Sequence, residues 1–414
     1  MKLAYDSFDS SPGKLMPQSY KYDRMEFSGS LGDLGTLLPL VMGMIMVNGM
    51  SATGIFFTIG LFYICAGRYF GVPIPVQPMK AISSYAIATG ATAAQISGSA
   101  AITCLLLFLI GVSGGINVIG RIIPKAVIRG IQLSTGALLM MQGIKLITGQ
   151  SSQQLTEGAA EPFLSITAIG IVPIGICLGT VGILLTVVLM HNKKYPAALV
   201  LIVVGFLIGA VYSKNDVFSG MDLSLHLPEL LPFGLPTQPD LIIAFFVLVL
   251  PQIPMTIGNA IIANVDLSRE YFGEESSKVT YKATTLSMAF ANGLSFFLGG
   301  IPLCHGAGGL AAHYKFGART GGSNVIIGAI FLLIALLFGH QALFLIHLLP
   351  FAILGVLLFF AGTQLCLAII DMKSRKELFI IMVILTITLT TSLSWGFGAG
   401  LILSYIIKSD RISI

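Results

Sequence analysis

The chain has 414 residues, of which 55% are hydrophobic and only 10% are charged, and its mean hydropathy is +0.90. Soluble domains carry about 25% charged residues, so this composition excludes a soluble globular protein and predicts an all-α polytopic membrane protein. The formal net charge of +5 does not indicate a nucleic-acid partner, because the charges lie between hydrophobic segments. The five cysteines are scattered singly, so neither a disulfide framework nor a zinc site is predicted.

The polar N-terminal stretch lacks the basic start and short apolar core of a signal peptide, so the first apolar segment is expected to be retained as a span. A spanning helix needs about 20 apolar residues. Two sets of seven predicted spans follow along the chain, near residues 28–48, 51–68, 73–91, 97–115, 123–147, 165–190, 197–213, 241–264, 280–298, 300–315, 322–339, 343–369, 378–392 and 394–407. The predicted organisation is a cytoplasmic tail (1–25), a first repeat (26–213), an extracytoplasmic connection (214–240), a second repeat (241–407) and a cytoplasmic tail (408–414).

Lysine and arginine are distributed unevenly among the predicted connections. With the N-terminus in the cytoplasm, the two tails and the even-numbered connections hold all of the 23 Lys and Arg residues except Lys80, Lys145 and Lys214. Cytoplasmic loops of membrane proteins carry an excess of Lys and Arg. The sequence therefore predicts a multi-pass protein of the cell membrane with both termini in the cytoplasm.

The two halves of the chain resemble each other at an offset of about 227 residues. Residues 74–78 then lie on residues 301–305, and at an offset of 226 Gly136 falls on Gly362. An odd number of spans per repeat places the copies in opposite orientations, which is the inverted repeat of many secondary transporters. In such proteins the substrate site lies near the membrane midplane, where interrupted spans meet. Here these are the third and tenth spans.

Both interrupted spans are predicted to begin with an extended segment that leads into a helix. Prolines in "GVPIPVQPMKAI" favour extended backbone over residues 73–78, before a helix that begins near Met79. In "GGIPLCHGAGGLAAHY" an extended segment over residues 301–304 leads into a helix near Gly306. Helix N-termini carry free N–H groups and about half a positive charge, so two of them facing the centre predict an anion site. The predicted substrate-binding residues at these helix starts are Met79, Lys80, Gly306, Ala307 and Gly308.

Other polar residues fall near the same crossing. Amide and hydroxyl groups can donate hydrogen bonds to an oxyanion without adding charge, and the candidates of this kind are Thr36, Gln77, Gln252, Thr256 and Asn259. Asp33 would repel an anion, so it is expected to pair with Lys80 or to cap a helix. For Lys80, an electrostatic role toward substrate and structural pairing with Asp33 both stay open.

His305 is the histidine at a repeat-matched interrupted span. Its unperturbed pKa near 6.5 suits proton coupling, which makes it the candidate proton-carrying residue as well as a candidate substrate ligand. The alternative is a structural histidine whose ring nitrogens are satisfied by neighbouring groups.

Five segments together resemble one known family: "SGSLGDLGTLLPL", "VPIPVQPMKAI", "LPQIPMTIGNAIIA", "PLCHGAGGLAAHYKFGARTGG" and "LPFAILGVLLFFAGTQLCLA". In this order, over residues 26–407, they resemble the molybdate transporter family, distant relatives of the sulfate permeases. The resemblance implies a fourteen-span fold like that of the uracil permease and the sulfate permeases. In that fold a core of spans 1–4 and 8–11 carries substrate against a gate of spans 5–7 and 12–14. It also places His305 where the uracil permease has a site carboxylate.

The expected function is secondary active transport of molybdate, coupled to protons, by elevator-like movement of the core past the gate. The alternatives are a transporter of sulfate, another oxyanion or a nucleobase, and a passive anion channel. An enzyme is not expected, because the sequence shows no metal-ligand cluster and no nucleophile–base pairing, and no cofactor or metal is expected either. The expected partners are molybdate, with tungstate and sulfate as alternatives, membrane lipid and, as one possible assembly, a second copy of the chain in a homodimer; nucleic acid is not expected.

Overall fold

The computed structural model describes residues 20–116, 123–189, 196–214 and 224–408. The predicted tails beyond these limits, with the basic residues Arg121, Lys193 and Lys194, lie outside the described residues. Up to residue 214 the helices are α1 (Arg24–Ser30), α2 (Leu34–Met46), α3 (Ala52–Phe70), α4 (Lys80–Thr89), α5 (Ala93–Ser113), α6 (Lys125–Thr148), α7 (Ser152–Glu157), α8 (Ile174–Leu189) and α9 (Ala197–Tyr212).

The second half is also helical. Its elements are α10 (Gln238–Ile243), the π-helix π1 (Ala244–Val249), α11 (Leu250–Met255), the π-helix π2 (Thr256–Ile262), α12 (Ala263–Phe272), α13 (Tyr281–Leu298), α14 (Ala307–Lys315), α15 (Gly322–Phe338), α16 (Ala342–His347), α17 (Phe351–Cys366), α18 (Arg375–Thr390) and α19 (Leu393–Lys408). Short 3₁₀ turns follow three of these helices, at Gly273–Ser276, Gly339–Gln341 and Leu367–Asp371. The strands have two residues each and are β1 (Gln77–Pro78), β2 (Ala168–Ile169), β3 (Val172–Pro173) and β4 (Leu303–Cys304).

The described helices support a multi-pass membrane protein. Five helical segments are long and apolar enough by length and composition to cross a membrane, and one of them is the continuous stretch Gln238–Ser276 that includes π1 and π2. A sixth results if α1 and α2, which meet at 41°, form one span. The apolar helices α8, α9 and α19 are shorter, at 10–17 residues. The fold is thus predominantly helical as predicted, whereas the count of fourteen spans and the division into core and gate stay predictions.

The local course of four predicted spans differs from a single α-helix. The span predicted at 28–48 falls on α1 and α2, which meet at 41°, and in the span predicted at 165–190 the strands β2 and β3 precede α8. The segment predicted at 343–369 divides into α16 and α17, because Pro350 at the N-cap of α17 has no N–H with which to continue a helix. The segment predicted at 241–264 contains two π-helical stretches, π1 and π2, in which the helix is wider and its side chains are offset. Such stretches occur often at functional sites and leave no simple periodicity in the sequence.

Helices that cross closely do so through glycine. At the crossing of α6 with α17, a Cβ added to Gly143 would lie 2.5 Å from the carbonyl oxygen of Gly355, and one added to Gly362 would lie 2.5 Å from that of Gly136. Small residues allow the backbones of membrane helices to approach each other in this way. Gly136 and Gly362, which the repeat offset aligns, therefore face each other in space.

The two extended segments also meet. β1 and β4 pair antiparallel, with Gln77 opposite Cys304 and Pro78 opposite Leu303. The predicted extended-then-helical course is confirmed for both segments, since α4 begins at Lys80 and α14 at Ala307. The crossing of β1 and β4 sets the positions of both helix starts.

Candidate anion-binding site

Two buried asparagines hold the extended segments in place. Asn324 of α15 accepts a hydrogen bond from the backbone N–H of Ile74 at 3.1 Å and donates one to its carbonyl oxygen at 2.6 Å. Asn292 of α13 accepts from the N–H of Leu303 at 3.2 Å and donates to its carbonyl oxygen at 2.9 Å. Extended backbone at membrane depth persists only where the protein satisfies its polar groups. Neither asparagine is among the residues predicted from the sequence, although an isolated amide in an apolar span is a usable signal.

The start of α4 is capped by a side chain from α11. The amide oxygen of Gln252 accepts hydrogen bonds from the N–H groups of Ala81 at 2.9 Å and Ile82 at 3.3 Å. Its amide nitrogen donates to the hydroxyl of Thr256 at 3.0 Å. The backbone N–H groups need an acceptor, so the orientation of the amide is determined. The N-terminus of α4 is therefore occupied by a neutral acceptor from the protein itself.

The start of α14 is open. Its N-cap is Gly306, and no side chain caps this end. The carbonyl oxygen of Gly306 accepts from the N–H of Gly309 at 3.0 Å, whereas the N–H groups of Ala307 and Gly308 have no acceptor within the described part of the chain. Gly308 is exposed. Two backbone donors at this end therefore lack an acceptor, and the positive end of the helix dipole lies beside an exposed residue.

Two further donors converge on this helix start. A Cβ added to Gly308 would lie 3.9 Å from the ammonium nitrogen of Lys80, and one added to Gly306 would lie 3.4 Å from the amide nitrogen of Asn259. Lys80 and Asn259 are half-buried. The structure thus brings a cation, a side-chain amide and free backbone N–H groups together at one exposed helix start, which is the chemistry of an anion site.

A second polar cluster lies behind the first turn of α14. The amide nitrogen of Gln77 donates to both carboxylate oxygens of Asp33 at 2.7 Å and approaches the hydroxyl of Thr36 at 3.2 Å. Thr36 also donates to the Asp33 carboxylate through a short hydrogen bond. Gly309 is needed here, because an added Cβ would lie 2.5 Å from Asp33 Oδ2 and 2.7 Å from Gln77 Nε2. The amide oxygen of Gln77 packs on Gly306 and has no hydrogen-bond partner among the described residues.

The expected partners of Asp33 are not observed. It occupies the N-cap position of α2, but its side chain does not cap that helix, and it forms no ion pair with Lys80 in the described structure. The hydrogen bonds from Gln77 and Thr36 take the place of a cationic partner. Asp33 is therefore a carboxylate that is 3% exposed and held by neutral donors.

Both ring nitrogens of His305 have protein partners. Its Nδ1 lies 2.8 Å from the carbonyl oxygen of Pro75, and its Nε2 lies 3.0 Å from the hydroxyl of Ser287. A carbonyl can only accept, so Nδ1 carries a proton and Nε2 can accept from the serine. The ring also packs against Phe62 and Phe70 at centroid distances of 4.8 and 5.9 Å. This geometry favours the structural alternative for His305.

The predicted site residues therefore fall into separate groups. The open helix start gathers Lys80, Asn259, Gly306, Ala307 and Gly308. Gln77, Asp33 and Thr36 lie behind its first turn, and Gln252 and Thr256 hold the start of α4. Met79, the N-cap of α4, is buried and donates its N–H to the carbonyl oxygen of Pro302 at 2.8 Å, and His305 is buried among aromatic rings.

Sequence comparison identifies the family. A family model described as "Molybdate transporter of MFS superfamily" matches residues 25–139 and 244–365. The chain belongs to the molybdate transporter family. It is 30% identical over 416 residues to Molybdate transporter 2 of Arabidopsis thaliana, and the match covers 92% of this chain and 87% of that protein. It is 29% identical over 470 residues to Molybdate transporter 1 of Chlamydomonas reinhardtii, covering 91% and 90%.

Structural comparison finds solved structures with a similar fold. The structure of SLC26A9 matches with a TM-score of 0.66 at 13% identity, covering 93% of this chain. The chain spans 65% of the length of that structure. The transmembrane domain of BicA, a cyanobacterial bicarbonate transporter, matches with a TM-score of 0.64 at 17% identity, covering 92% and 98%. The resemblance predicted from the sequence is confirmed, and the family and the relatives are transporters rather than enzymes.

Proposed function

We propose that this chain is a secondary transporter of molybdate and that one oxyanion binds at the open start of α14. The observation that carries the proposal is the convergence of Lys80, Asn259 and the free N–H groups of Ala307 and Gly308 on one accessible point. The relatives named as molybdate transporters support the choice of substrate. The fold shared with SLC26A9 supports anion transport in general.

The charges near this helix start suit a dianion better than a monoanion. The Lys80 ammonium contributes one positive charge, and the N-terminus of α14 contributes about half a charge. Hydrogen bonds to a charged acceptor are about twice as strong as neutral ones, so Asn259 and the backbone N–H groups add binding energy without adding charge. A tetrahedral dianion has enough oxygens to engage all of these donors at once.

We assign proton coupling to Asp33 rather than to His305. Asp33 lies against Gly309, one turn into α14, and an ionised carboxylate there would repel a bound dianion. A proton on Asp33 removes this repulsion, so binding of the anion and uptake of the proton favour each other. His305 has a protein partner on each ring nitrogen, and neither partner belongs to the open helix start.

Coupling to protons is also needed on electrical grounds. Moving one negative charge inward against a potential of 100 mV, negative inside, costs about 2.3 kcal/mol, so a dianion alone costs about 4.6 kcal/mol. Each accompanying proton removes about 2.3 kcal/mol of that cost and adds the free energy of the pH gradient. A transporter that accumulates a dianion therefore requires such a partner ion, whereas a passive channel cannot accumulate it.

We further propose an elevator-like movement that carries the site across the membrane. β1 and β4, the asparagines that hold them and both helix starts form one connected unit. α6 and α17 pack against each other through glycines and form the surface past which this unit would slide. Placement in the cell membrane with both termini in the cytoplasm belongs to the same proposal, supported by the distribution of Lys and Arg.

Uptake into proteoliposomes tests the proposal. We expect molybdate uptake that rises with an inward proton gradient and exceeds sulfate uptake at equal concentration. Equal inhibition of molybdate uptake by sulfate and by unlabelled molybdate would remove the molybdate assignment and leave a general oxyanion transporter. Uptake that never exceeds electrochemical equilibrium, whatever the pH gradient, would identify a passive channel instead.

A further inference from the structure

Gln252 occupies the position that an anion would take at the start of α4. Its amide oxygen accepts from two consecutive backbone N–H groups, those of Ala81 and Ile82, and the side chain is 3% exposed. At the start of α14 the N–H groups of Ala307 and Gly308 have no such acceptor among the described residues. Both halves of the chain thus present backbone N–H groups at a helix start, and at α4 the side chain of Gln252 is their acceptor.

We propose that Gln252 is a specificity-determining residue that limits the site to one oxyanion, because its amide oxygen excludes a second, small anion from the start of α4. The inference rests on the proposed function, since it concerns how the same site selects its anions. An amide oxygen is a neutral acceptor, so it satisfies the N–H groups without repelling a dianion at α14. A carboxylate at this position would satisfy the same groups but would add a negative charge.

Thr256 keeps the amide in this orientation. The amide nitrogen of Gln252 donates to the Thr256 hydroxyl at 3.0 Å, and Thr256 is itself buried. Thr256 is also the first residue of π2, the stretch that carries Asn259. One helical segment therefore presents a cap to α4 and a donor to α14.

The space around Gln252 would admit a small ligand once the side chain is shortened. A cavity between α5 and the π1–π2 region is lined by Thr103, Leu107, Val249, Gln252 and Thr256. The Thr103 hydroxyl is buried and has no hydrogen-bond partner among the described residues. Gln252 both lines this cavity and bonds the N–H groups of Ala81 and Ile82, so its truncation would enlarge the cavity and leave those two groups without their acceptor.

The competing interpretation is that Gln252 binds the oxyanion directly, as its residue type predicts. The two interpretations differ in whether removal of the Gln252 side chain makes molybdate uptake sensitive to chloride. A direct ligand, when removed, weakens molybdate binding and creates nothing new. A cap, when removed, creates an anion position, so that chloride begins to compete with molybdate or to enter with it.

The test measures molybdate uptake into proteoliposomes against increasing chloride, with gluconate replacing chloride at constant ionic strength. For Gln252→Ala we expect the chloride concentration that halves uptake to fall by about tenfold, the effect of about one charge-assisted hydrogen bond. Gln252→Glu keeps an acceptor at α4, so we expect no gain in chloride sensitivity but a higher KM for molybdate. Thr256→Val should move chloride sensitivity in the same direction as Gln252→Ala and by less.

Gln154→Ala is the matched control. Gln154 is likewise a buried capping glutamine, since its amide oxygen accepts from the N–H of Ser151 at 3.2 Å at the start of α7. Its loss should not change chloride sensitivity. If Gln252→Ala does not fold, Thr256→Val and Gln252→Glu carry the test, since both retain side chains of similar size.

Loss of molybdate affinity in Gln252→Ala, with chloride sensitivity unchanged in that variant and in Thr256→Val, would overturn the inference while leaving molybdate transport by the wild type intact. Failure of the wild type itself to take up molybdate would instead overturn the proposed function. The wild-type arm therefore separates the two outcomes.

Discussion

The starts of α4 and α14 occupy equivalent positions in the two halves of the chain, yet they differ in what faces them. Both follow an extended segment of the β1–β4 crossing, and both present backbone N–H groups that have no acceptor within the helix. At α4 the amide of Gln252 satisfies those groups, whereas at α14 they face Lys80, Asn259 and accessible space. The two halves therefore share a backbone arrangement here, and side chains from other helices decide which helix start can bind a ligand.

A third helix start extends the comparison. The carboxylate of Glu161, in the connection between α7 and β2, accepts from the N–H groups of Phe351 at 2.8 Å and Ala352 at 2.7 Å and so caps α17. Glu161 is 4% exposed. Of these three helix starts, α4 has a neutral cap, α17 has a carboxylate cap and α14 has no side-chain cap. Among the three, α14 is the one at which an anion can bind without displacing a side chain.

The largest expected effect follows from the loss of the cation at α14. Lys80→Ala removes the ammonium group near Gly308, and hydrogen bonds to charged groups contribute about 1.5–3 kcal/mol, so we expect the KM for molybdate to rise by about 10- to 100-fold. Uptake kinetics in proteoliposomes measure this. Lys145→Ala, at an exposed lysine of α6, is the control and should behave as the wild type. Equal KM values in Lys80→Ala and the wild type would contradict placement of the site at α14.

Two neighbouring glycines should respond differently to the same substitution. Gly308→Ala places a methyl group in open space, 3.9 Å from the Lys80 ammonium, so the protein should fold while the KM rises by about tenfold. Gly309→Ala places the methyl group 2.5 Å from Asp33 Oδ2, so folded protein should be lost. Size-exclusion profiles and uptake together distinguish the two results. A well-folded, active Gly309→Ala would show that Asp33 and Gln77 do not pack tightly against the first turn of α14.

The carboxylate near α14 provides a third test, because Asp33 lies against Gly309 in the first turn of that helix. Asp33→Asn keeps hydrogen-bonding atoms but cannot carry the coupling proton. With one coupled proton, each unit of pH gradient adds about tenfold to the accumulation ratio of the wild type and nothing to that of the variant. His305→Asn serves as the comparison and should retain the dependence on pH. The reverse pattern would return proton coupling to His305.

The smallest expected effect on transport concerns the carboxylate cap of α17. Burial raises the pKa of Glu161 from 4.5 to about 7, while the hydrogen bonds from Ala352 and Phe351 oppose the rise. The native state therefore binds a proton more tightly than the unfolded state, so this group's contribution to stability is greatest below pH 4.5 and falls as pH rises toward 7, by about 3 kcal/mol at most. Glu161→Gln should remove this slope without changing the KM. Thermal unfolding between pH 5 and 8 measures it, and identical slopes in both proteins would contradict the assignment.

The sequence predicted the backbone of this site well. Proline placement determined that residues 73–78 are extended, and the offset between the repeats aligned Gln77 with Cys304, which pair in the β1–β4 crossing. The starts of α4 and α14 followed from the same pattern. These features depend on local backbone chemistry, which a sequence displays directly.

The partners of the polar side chains could not be predicted in the same way. That Gln252 caps α4, that Gln77 bonds Asp33, and that His305 bonds Ser287 all depend on distances between different helices. The π-helical stretches add to the difficulty, because they rotate the residues of the predicted span at 241–264 relative to a regular α-helix. Residue type identified which side chains gather near the crossing, and the tertiary structure separated ligand candidates from caps.

The most direct test of the central claim is the position of a bound heavy oxyanion. Anomalous scattering from the protein crystallised with tungstate would locate the metal atom. We expect it about 4 Å from the backbone nitrogen of Gly308 and beside Lys80, with Gln252 still bonded to Ala81 and Ile82. A peak at the start of α4, with Gln252 displaced, would contradict the account.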